Sequence, residues 1–435
     1  MLSRKLAGGS TRAFLQQGFR RSFHASRPVG EKLTVTQLAD RVDLKDQPVL
    51  VRVDLNVPLG SDEVTVTDDT RLRAVVPTTK FLLERGAKVV LCSHFGRPKG
   101  EVIEKGKNGR LNPVRDPLAE LLGTTVNKVN DCIGEEAEQG VADLGGGEVL
   151  LLENTRFHKG ETKNDPELAA GLGKLADYFV MDAFGTAHRA HSSTAGVTEH
   201  MKLSAAGFLL QKELDFLITA MQDESARPRM ALVGGAKVST KLPVLSSLMD
   251  KCDAILLGGA MIFTFFRAKG YETGESMVEE DMVTLAGELI KEAEAKNVKL
   301  VLPEDVVLAD SFSNDASTAI APVTELGGSW RGLDIGPDTI TAYKNLLGTA
   351  KTVVWNGPMG VFEMSNFATG TLEMAQHLAQ QSENEGLVSI VGGGDSVAAV
   401  QPVADKITHI STGGGASLEL LEGKVLPGVA ALTDA

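Results

Sequence analysis

The chain has 435 residues, 43% of them hydrophobic and 23% charged, a length beyond one ordinary core that predicts two domains of soluble globular type. A net charge of −13 and an aromatic content of only 5% argue against nucleic acid and anionic membrane as partners, because phosphate backbones need a basic face. An anion bound by so acidic a chain must meet a local, concentrated basic pocket.

Residues 1–30 hold six Lys or Arg and no acid, so the remainder carries 38 basic against 57 acidic residues, or −19. Leu2, Leu6, Phe14, Leu15 and Phe19 allow a partly amphipathic helix, with no continuous apolar stretch. That is the composition of an organellar transit peptide. Its expected destination is the mitochondrial matrix, with the chloroplast stroma as the alternative. Cys92, Cys132 and Cys252 are far apart and form no C-x-x-C pair; they read as reduced, mostly buried thiols of an intracellular compartment. The longest nearly apolar run, Ala254–Phe266, is interrupted by Gly258-Gly259 and is too short to cross a bilayer.

From Leu33 onward, short Val/Ile/Leu runs alternate with longer helical stretches. Strands are predicted at Val49–Val53, Lys88–Ser93, Glu148–Leu152 and Tyr178–Asp182. In the second half they fall at Met230–Val233, Ala254–Leu257, Lys299–Leu302, Thr352–Trp355, Val388–Val391 and His409–Ser411. Apolar strands spaced by helices mean βαβ units and parallel sheets covered on both faces, with ligands at the carboxyl ends of the strands.

In the first half, the loops after those strands carry His94, Arg97, Arg156 and Arg189. Arg71 follows Asp68-Asp69-Thr70 in the first turn of a predicted helix, where the dipole disfavours a cation unless an anion faces it. Arginine presents a planar fork suited to carboxylate and phosphate. Surface salt bridging is the competing reading for each alone, but several at one sheet edge point to a small polyanion. Asp54 and Asn56, at alternate positions past a strand, can both reach a substrate hydroxyl; the competing reading is that Asp-x-Asn only shapes the turn before Pro58. Lys212–Asp223 reads as a helical connector, and the loops beyond it are glycine-rich: Gly234-Gly235, Gly258-Gly259, Asn356-Gly357-Pro358, Gly392–Gly394 and Gly413–Gly415. Strand, Gly-Gly, helix is an arrangement that aims backbone amides at phosphate. Lys237 and Lys241 suit phosphate contacts, against a reading as solvated charge. Asp395 is the Mg²⁺ candidate, although an N-cap for a helix starting near Ser396 serves equally well locally. Pro243 falls early in the predicted helix near Ser239. Walker A, protein-kinase and G-x-G-x-x-G signatures are all missing.

Together these segments resemble the phosphoglycerate kinase family over about residues 33–435. The carriers are RVDLNVP (52–58), SHFGRP (93–98), LLENTRFHKGE (151–161), DAFGTAHRAHSS (182–193), GGAKVSTK (234–241), WNGPMGVFE (355–363), GGGDS (392–396) and STGGGASLELLEG (411–423). The resemblance implies an α/β fold of two doubly wound, parallel-sheet (Rossmann-like) domains joined by a hinge helix. The substrate domain would span 31–208 with the returning tail 416–435, the helix 209–225, and the nucleotide domain 226–415. It implies that Asp54, Asn56, Arg71, His94, Arg97, Arg156 and Arg189 hold 3-phosphoglycerate or 1,3-bisphosphoglycerate. Gly235, Lys241, Gly259, Gly332, Asn356, Glu363, Gly393, Gly394, Asp395 and Ser396 would serve ADP or ATP with Mg²⁺ on Asp395. Arg71, Lys237 and the amides of Gly413, Gly414 and Gly415 would stabilise the phosphoryl group in flight. Ser396 stands where the family usually has Thr, and Pro243 and Ile262 are atypical. A monomer is expected by the same resemblance.

The implied reaction needs no general base, since its acceptor is a carboxylate in one direction and an ADP phosphate in the other, both already ionised. Alignment and charge neutralisation suffice. A nicotinamide dehydrogenase would require the absent dinucleotide fingerprint, and a scaffold descended from such an enzyme would be expected to lose Lys237, Arg71 or Asp395.

Overall fold

The computed structural model describes residues 31–219, 221 and 223–435; the leader reading lies outside these residues. Among the described residues, fifteen strands form three sheets. The first sheet contains β1 (Pro48–Val53), β2 (Lys88–Cys92), β3 (Val126–Lys128), β4 (Val149–Leu151), β5 (Tyr178–Asp182) and β6 (Leu203–Ala206). All neighbours are parallel, in the order β3-β4-β2-β1-β5-β6. The second sheet is built from β7 (Arg229–Val233), β8 (Ala254–Leu257) and β9 (Lys299–Val301), to which the later strands β13 (Thr352–Asn356), β14 (Val388–Gly392) and β15 (His409–Ile410) are added. It is also parallel, in the order β15-β14-β13-β7-β8-β9. Between them in sequence, β10 (Asp305–Ala309), β11 (Thr318–Pro322) and β12 (Arg331–Ile335) make a small antiparallel sheet, with β10 in its centre.

Covering each parallel sheet on both faces follows from its residues. In β1, Leu50 packs with Val90, Leu150 and Phe179, while Val49, Val51 and Val53 face a separate cluster with Leu72, Val75 and Leu118. In β7, Ala231 and Val233 point one way, Met230 and Leu232 the other. Alternate side chains of a strand leave by opposite faces, so an all-apolar strand is stable only between two helical layers. Each such buried Val or Leu contributes about 1.5–3 kcal/mol.

The helix expected at 209–225 begins within one residue of that start. A helix at Phe208–Leu214 runs into a π-type turn at Asp215–Thr219. The C-terminal tail returns to the first sheet: Thr433 N donates to Ser204 O at 3.0 Å, and Gly428 N to Ala187 O at 2.8 Å. Two sequence readings need correction. The helix holding Lys241 starts at Val238, with Lys237 as its N-cap, so Pro243 lies beyond the first turn. The helix after β14 begins at Gly394 with Gly393 as N-cap, which places Asp395 inside its first turn; Asp395 is not the cap.

Candidate functional site

The loops at the carboxyl ends of β1, β2, β4 and β5 meet at one cavity of about 780 Å³. Its walls carry Asp54, Asn56, Arg71, His94, Arg97, Arg156 and Arg189, and its far side is formed by Thr412 and Gly413–Gly415. The arginines from separate loops therefore converge. Arg71 Nη1 donates to Asn56 O at 2.7 Å and lies 3.3 Å from Asp54 Oδ2. Its backbone sits in the first turn of the helix Thr70–Leu83, where Asp68 Oδ1 accepts from Thr70 N at 2.9 Å. Asn56 Oδ1 accepts from Gly96 N at 2.8 Å, and Arg156 Nη1 donates to Gly96 O at 2.6 Å. Asn154 Oδ1 accepts from Phe95 N at 3.0 Å and from Arg156 N at 3.1 Å, tying the loops after β2 and β4 into one rim.

Electrostatics record the crowding. Burial, then the charges of Arg52, Arg189 and Arg97, push the Arg156 guanidinium down to about 10, with Glu161 opposing. Burial and the cations Arg52, Arg156 and Arg71 hold His94 well below the usual histidine range. The buried Nε of Arg156 has no hydrogen-bond partner among the described residues. Like charges held this close raise the energy of the free pocket, and an anion with several oxygens lowers it.

The cavity reaches across to the second half through glycine. A Cβ added to Gly185 would lie 3.7 Å from Thr412 O and 3.9 Å from Gly413 O, and one on Gly413 would lie 2.3 Å from Phe184. Gly414 takes φ +51° at the cap of the helix Gly415–Leu421, a conformation that side chains disfavour. The loop is held by the connector: Glu213, fully buried, accepts from Thr412 N at 2.8 Å, Thr412 Oγ1 at 2.9 Å and His409 Nε2 at 2.8 Å. Phe216 stacks on His409 at 4.5 Å.

A second constellation lies at the carboxyl ends of β7, β8, β13 and β14. Lys241 Nζ hydrogen-bonds Asn356 Oδ1, Asn356 Nδ2 donates to Gly392 O at 2.9 Å, and Gly357 N donates to Ser396 Oγ at 2.6 Å. A Cβ on Gly259 would meet Gly235 O at 2.4 Å, and one on Gly235 the Lys241 Cε at 2.9 Å. Burial lowers the Lys241 ammonium's pKa, with Asp395 opposing. Gly393 has φ +95°, and Gly394 and Asp395 follow it, both exposed. Gly332 stands apart from these polar bonds: its N donates to Ser276 Oγ at 2.9 Å, and a Cβ there would strike Phe263, on the helix that follows Gly259. Glu363 is exposed and in no side-chain hydrogen bond or ion pair among the described residues, and Lys237 is exposed and outside the cationic cavity's lining.

Sequence reasoning missed the layer beneath the cavity, where Arg52, Glu161 and Ser193 are all completely buried. The available signal was a charged residue inside an otherwise apolar strand, which only a specific partner makes tolerable. It also missed Glu213 and Thr412, which carry no local motif.

Two parallel sheets, one with a cationic cavity at its strand ends and the other with glycine-lined strand ends, match the class of two-domain α/β phosphotransferases of small metabolites. The model of the family described as phosphoglycerate kinase matches residues 39–424, and the chain belongs to that family. It is 58% identical over 395 residues to phosphoglycerate kinase 1, chloroplastic, of Arabidopsis thaliana, covering 90% of this chain and 81% of the relative. It is 55% identical over 406 residues to the phosphoglycerate kinase of Prochlorococcus marinus, covering 93% and 100%. The solved phosphoglycerate kinase of Coxiella burnetii superposes with a TM-score of 0.83 at 39% identity, over 92% of this chain and 98% of that one. The chain is thus a kinase of glycolysis, transferring a phosphoryl group reversibly between 1,3-bisphosphoglycerate and ADP to give 3-phosphoglycerate and ATP. The mitochondrial destination expected from the leader is corrected: the relatives at this level of identity are named chloroplastic or cytosolic, or come from bacteria, and none of these names is mitochondrial.

Proposed function

We propose that the 780 Å³ cavity is where the small acid lies, with Arg97, Arg156, Arg189 and His94 on its anionic groups and Asp54 and Asn56 on its hydroxyl. Arg71 reaches the carboxylate that accepts or gives up the phosphoryl group. The nucleotide lies along Gly235, Gly259, Gly332, Asn356 and Glu363, its phosphates on Lys241 and the amides of Gly393, Gly394, Asp395 and Ser396. Lys237 and the amides of Gly413, Gly414 and Gly415 stabilise charge on the group in transit. The observation that carries this reading is that the basic cluster of the first half and Gly413–Gly415 of the second share one cavity.

The donor set fits Mg²⁺. Asp395 is an exposed hard oxygen donor in no ion pair among the described residues, and a single carboxylate leaves positions for phosphates and waters. When bound with the nucleotide, Mg²⁺ supplies charge neutralisation to the phosphates. The chain's own part is to align the two substrates, offset the negative charge and exclude water by closing residues 31–208 with 416–435 onto 226–415 about 209–225. The active unit is a monomer.

Lys237→Ala lowers kcat by ~10²–10³-fold while ADP affinity changes less than about tenfold; full activity in that variant in a coupled assay refutes the assignment. Residues 1–30 act as a leader for the chloroplast, the alternative that the chloroplastic relatives favour. Import into isolated chloroplasts with N-terminal trimming is expected, and failure of a fusion to enter them removes this assignment.

A further inference from the structure

Beneath the cavity runs a charged network with no part in the assignments above. Arg52 on β1 is fully buried, and its Nε donates to Ser193 Oγ at 2.9 Å. One terminal nitrogen donates to the Val53 carbonyl, and the other lies 3.1 Å from His94 Nδ1. Ser193 in turn donates to Glu161, from Oγ to Oε1 at 2.6 Å and from N to Oε2 at 3.1 Å. Thr155 Oγ1 adds a third donor to that carboxylate at 3.2 Å. The buried guanidinium therefore has its counter-charge one hydroxyl away.

The direction of the Arg52–His94 bond follows from chemistry. A guanidinium in a protein has five donors and no acceptor, so Nδ1 of His94 must accept. The imidazole then carries its proton on Nε2, and a proton cannot be added at Nδ1 without breaking that bond. His94 lines the cavity. We infer that Arg52, anchored through Ser193 to Glu161, is a positioning residue for phosphoryl transfer: it fixes His94 as a neutral imidazole whose Nε2–H is offered to the anionic acid.

The inference rests on the reading of His94 as a ligand of that acid. Its consequence is a donor that does not titrate where the reaction runs. The other charged groups facing His94 are Arg71 from the helix after β1, Arg156 from the turn after β4 and His191 from the loop after β5. The first two are cations that act in the same sense, and burial holds His191 at about 4, hence neutral near pH 7. Ordinary histidines change charge between about pH 5 and 8; burial and the surrounding cations, Arg52 among them, hold this one out of that change.

The test combines imidazole nitrogen NMR with kinetics on the intact enzyme. In the free wild type, His94 is expected to show an unprotonated Nδ1 and a protonated Nε2 at every pH at which the enzyme is active. In Arg52→Lys, which keeps the buried charge but not the fork, an Nδ1-protonated tautomer of His94 is expected to appear. The KM for 3-phosphoglycerate should then rise by ~10-fold, with kcat changed less than KM. His94→Gln, whose amide N–H lies where Nε2–H was, is expected to raise KM ~10-fold less than His94→Asn does. These two do not depend on the folding of the Arg52 variant. An Nδ1-protonated or cationic His94 in the wild type, or Asn performing as well as Gln, overturns the inference. An unchanged KM in His94→Ala instead overturns the assignment of His94 to the substrate.

Discussion

Arg156→Met tests whether the pocket's charge is held at the expense of stability. Burial and three neighbouring arginines push this guanidinium down to about 10, which at about 1.4 kcal/mol per tenfold change in acidity corresponds to roughly 3 kcal/mol of unfavourable environment. The group is partly exposed, and solvent screening reduces this to about 1–2 kcal/mol. Against it stands the hydrogen bond to Gly96 O at 2.6 Å, a charge-assisted bond worth about 1.5 kcal/mol. The two nearly cancel, so the free variant should unfold within about 1 kcal/mol of wild type in urea. Binding has no such cancellation. Loss of a charge-assisted contact to phosphate or carboxylate removes about 1.5–3 kcal/mol, so the KM for 3-phosphoglycerate should rise by ~10–150-fold with that for ATP unchanged. Urea titration of the free protein and a coupled assay at saturating MgATP measure the two effects. An unchanged KM alongside several kcal/mol of lost stability refutes the reasoning, because Arg156 would then be a structural residue.

Asp334, pushed up to about 7 by burial against the Gly370 and Ile335 amides that hold it, makes stability pH-dependent. A raised folded value means its favourable contribution is present below the unfolded value of 3.8 and lost as pH rises through about 7. Asp334→Asn mimics the protonated carboxyl, so its stability relative to wild type should grow between about pH 4 and 7 towards ~4 kcal/mol; parallel denaturation profiles would contradict this. Gly413→Ala places a methyl 2.3 Å from Phe184 and 2.6 Å from Ser417 Oγ, so about 1–3 kcal/mol of stability and ~10²-fold in kcat should be lost. Gly394→Ala meets nothing within 4 Å and should leave the thermal midpoint unchanged by calorimetry.

The parallel strands were legible because burial on both faces forces continuous apolar runs, as in Tyr178–Asp182 and Ala254–Leu257, which have the same limits in sequence and structure. Strands without that signature escaped. Val126–Lys128 is three residues with one apolar side chain buried, and Leu203–Ala206 is rich in small residues. In the antiparallel sheet the edge strand Thr318–Pro322 is exposed and had no need of an apolar face, while the buried strands Asp305–Ala309 and Arg331–Ile335 mix acidic and basic residues with their apolar ones. The cationic rim was legible because Arg97, Arg156 and Arg189 each follow a strand end, where parallel topology gathers side chains. What lies beneath it was not. Ser193 meets Arg52 across 141 residues of sequence and Glu161 across 32, and no local pattern encodes such bonds. The direction of the leader was likewise beyond composition, since Arg- and Ser-rich acid-free segments serve more than one organelle.

Isothermal titration of 3-phosphoglycerate and of MgADP into the wild type and a variant with Arg97, Arg156 and Arg189 all neutralised tests the division of labour most directly. The account predicts that heat from 3-phosphoglycerate disappears while MgADP binds within about threefold of its wild-type affinity. Undiminished binding of the acid, or equal loss of both ligands in a variant that remains folded, would contradict it.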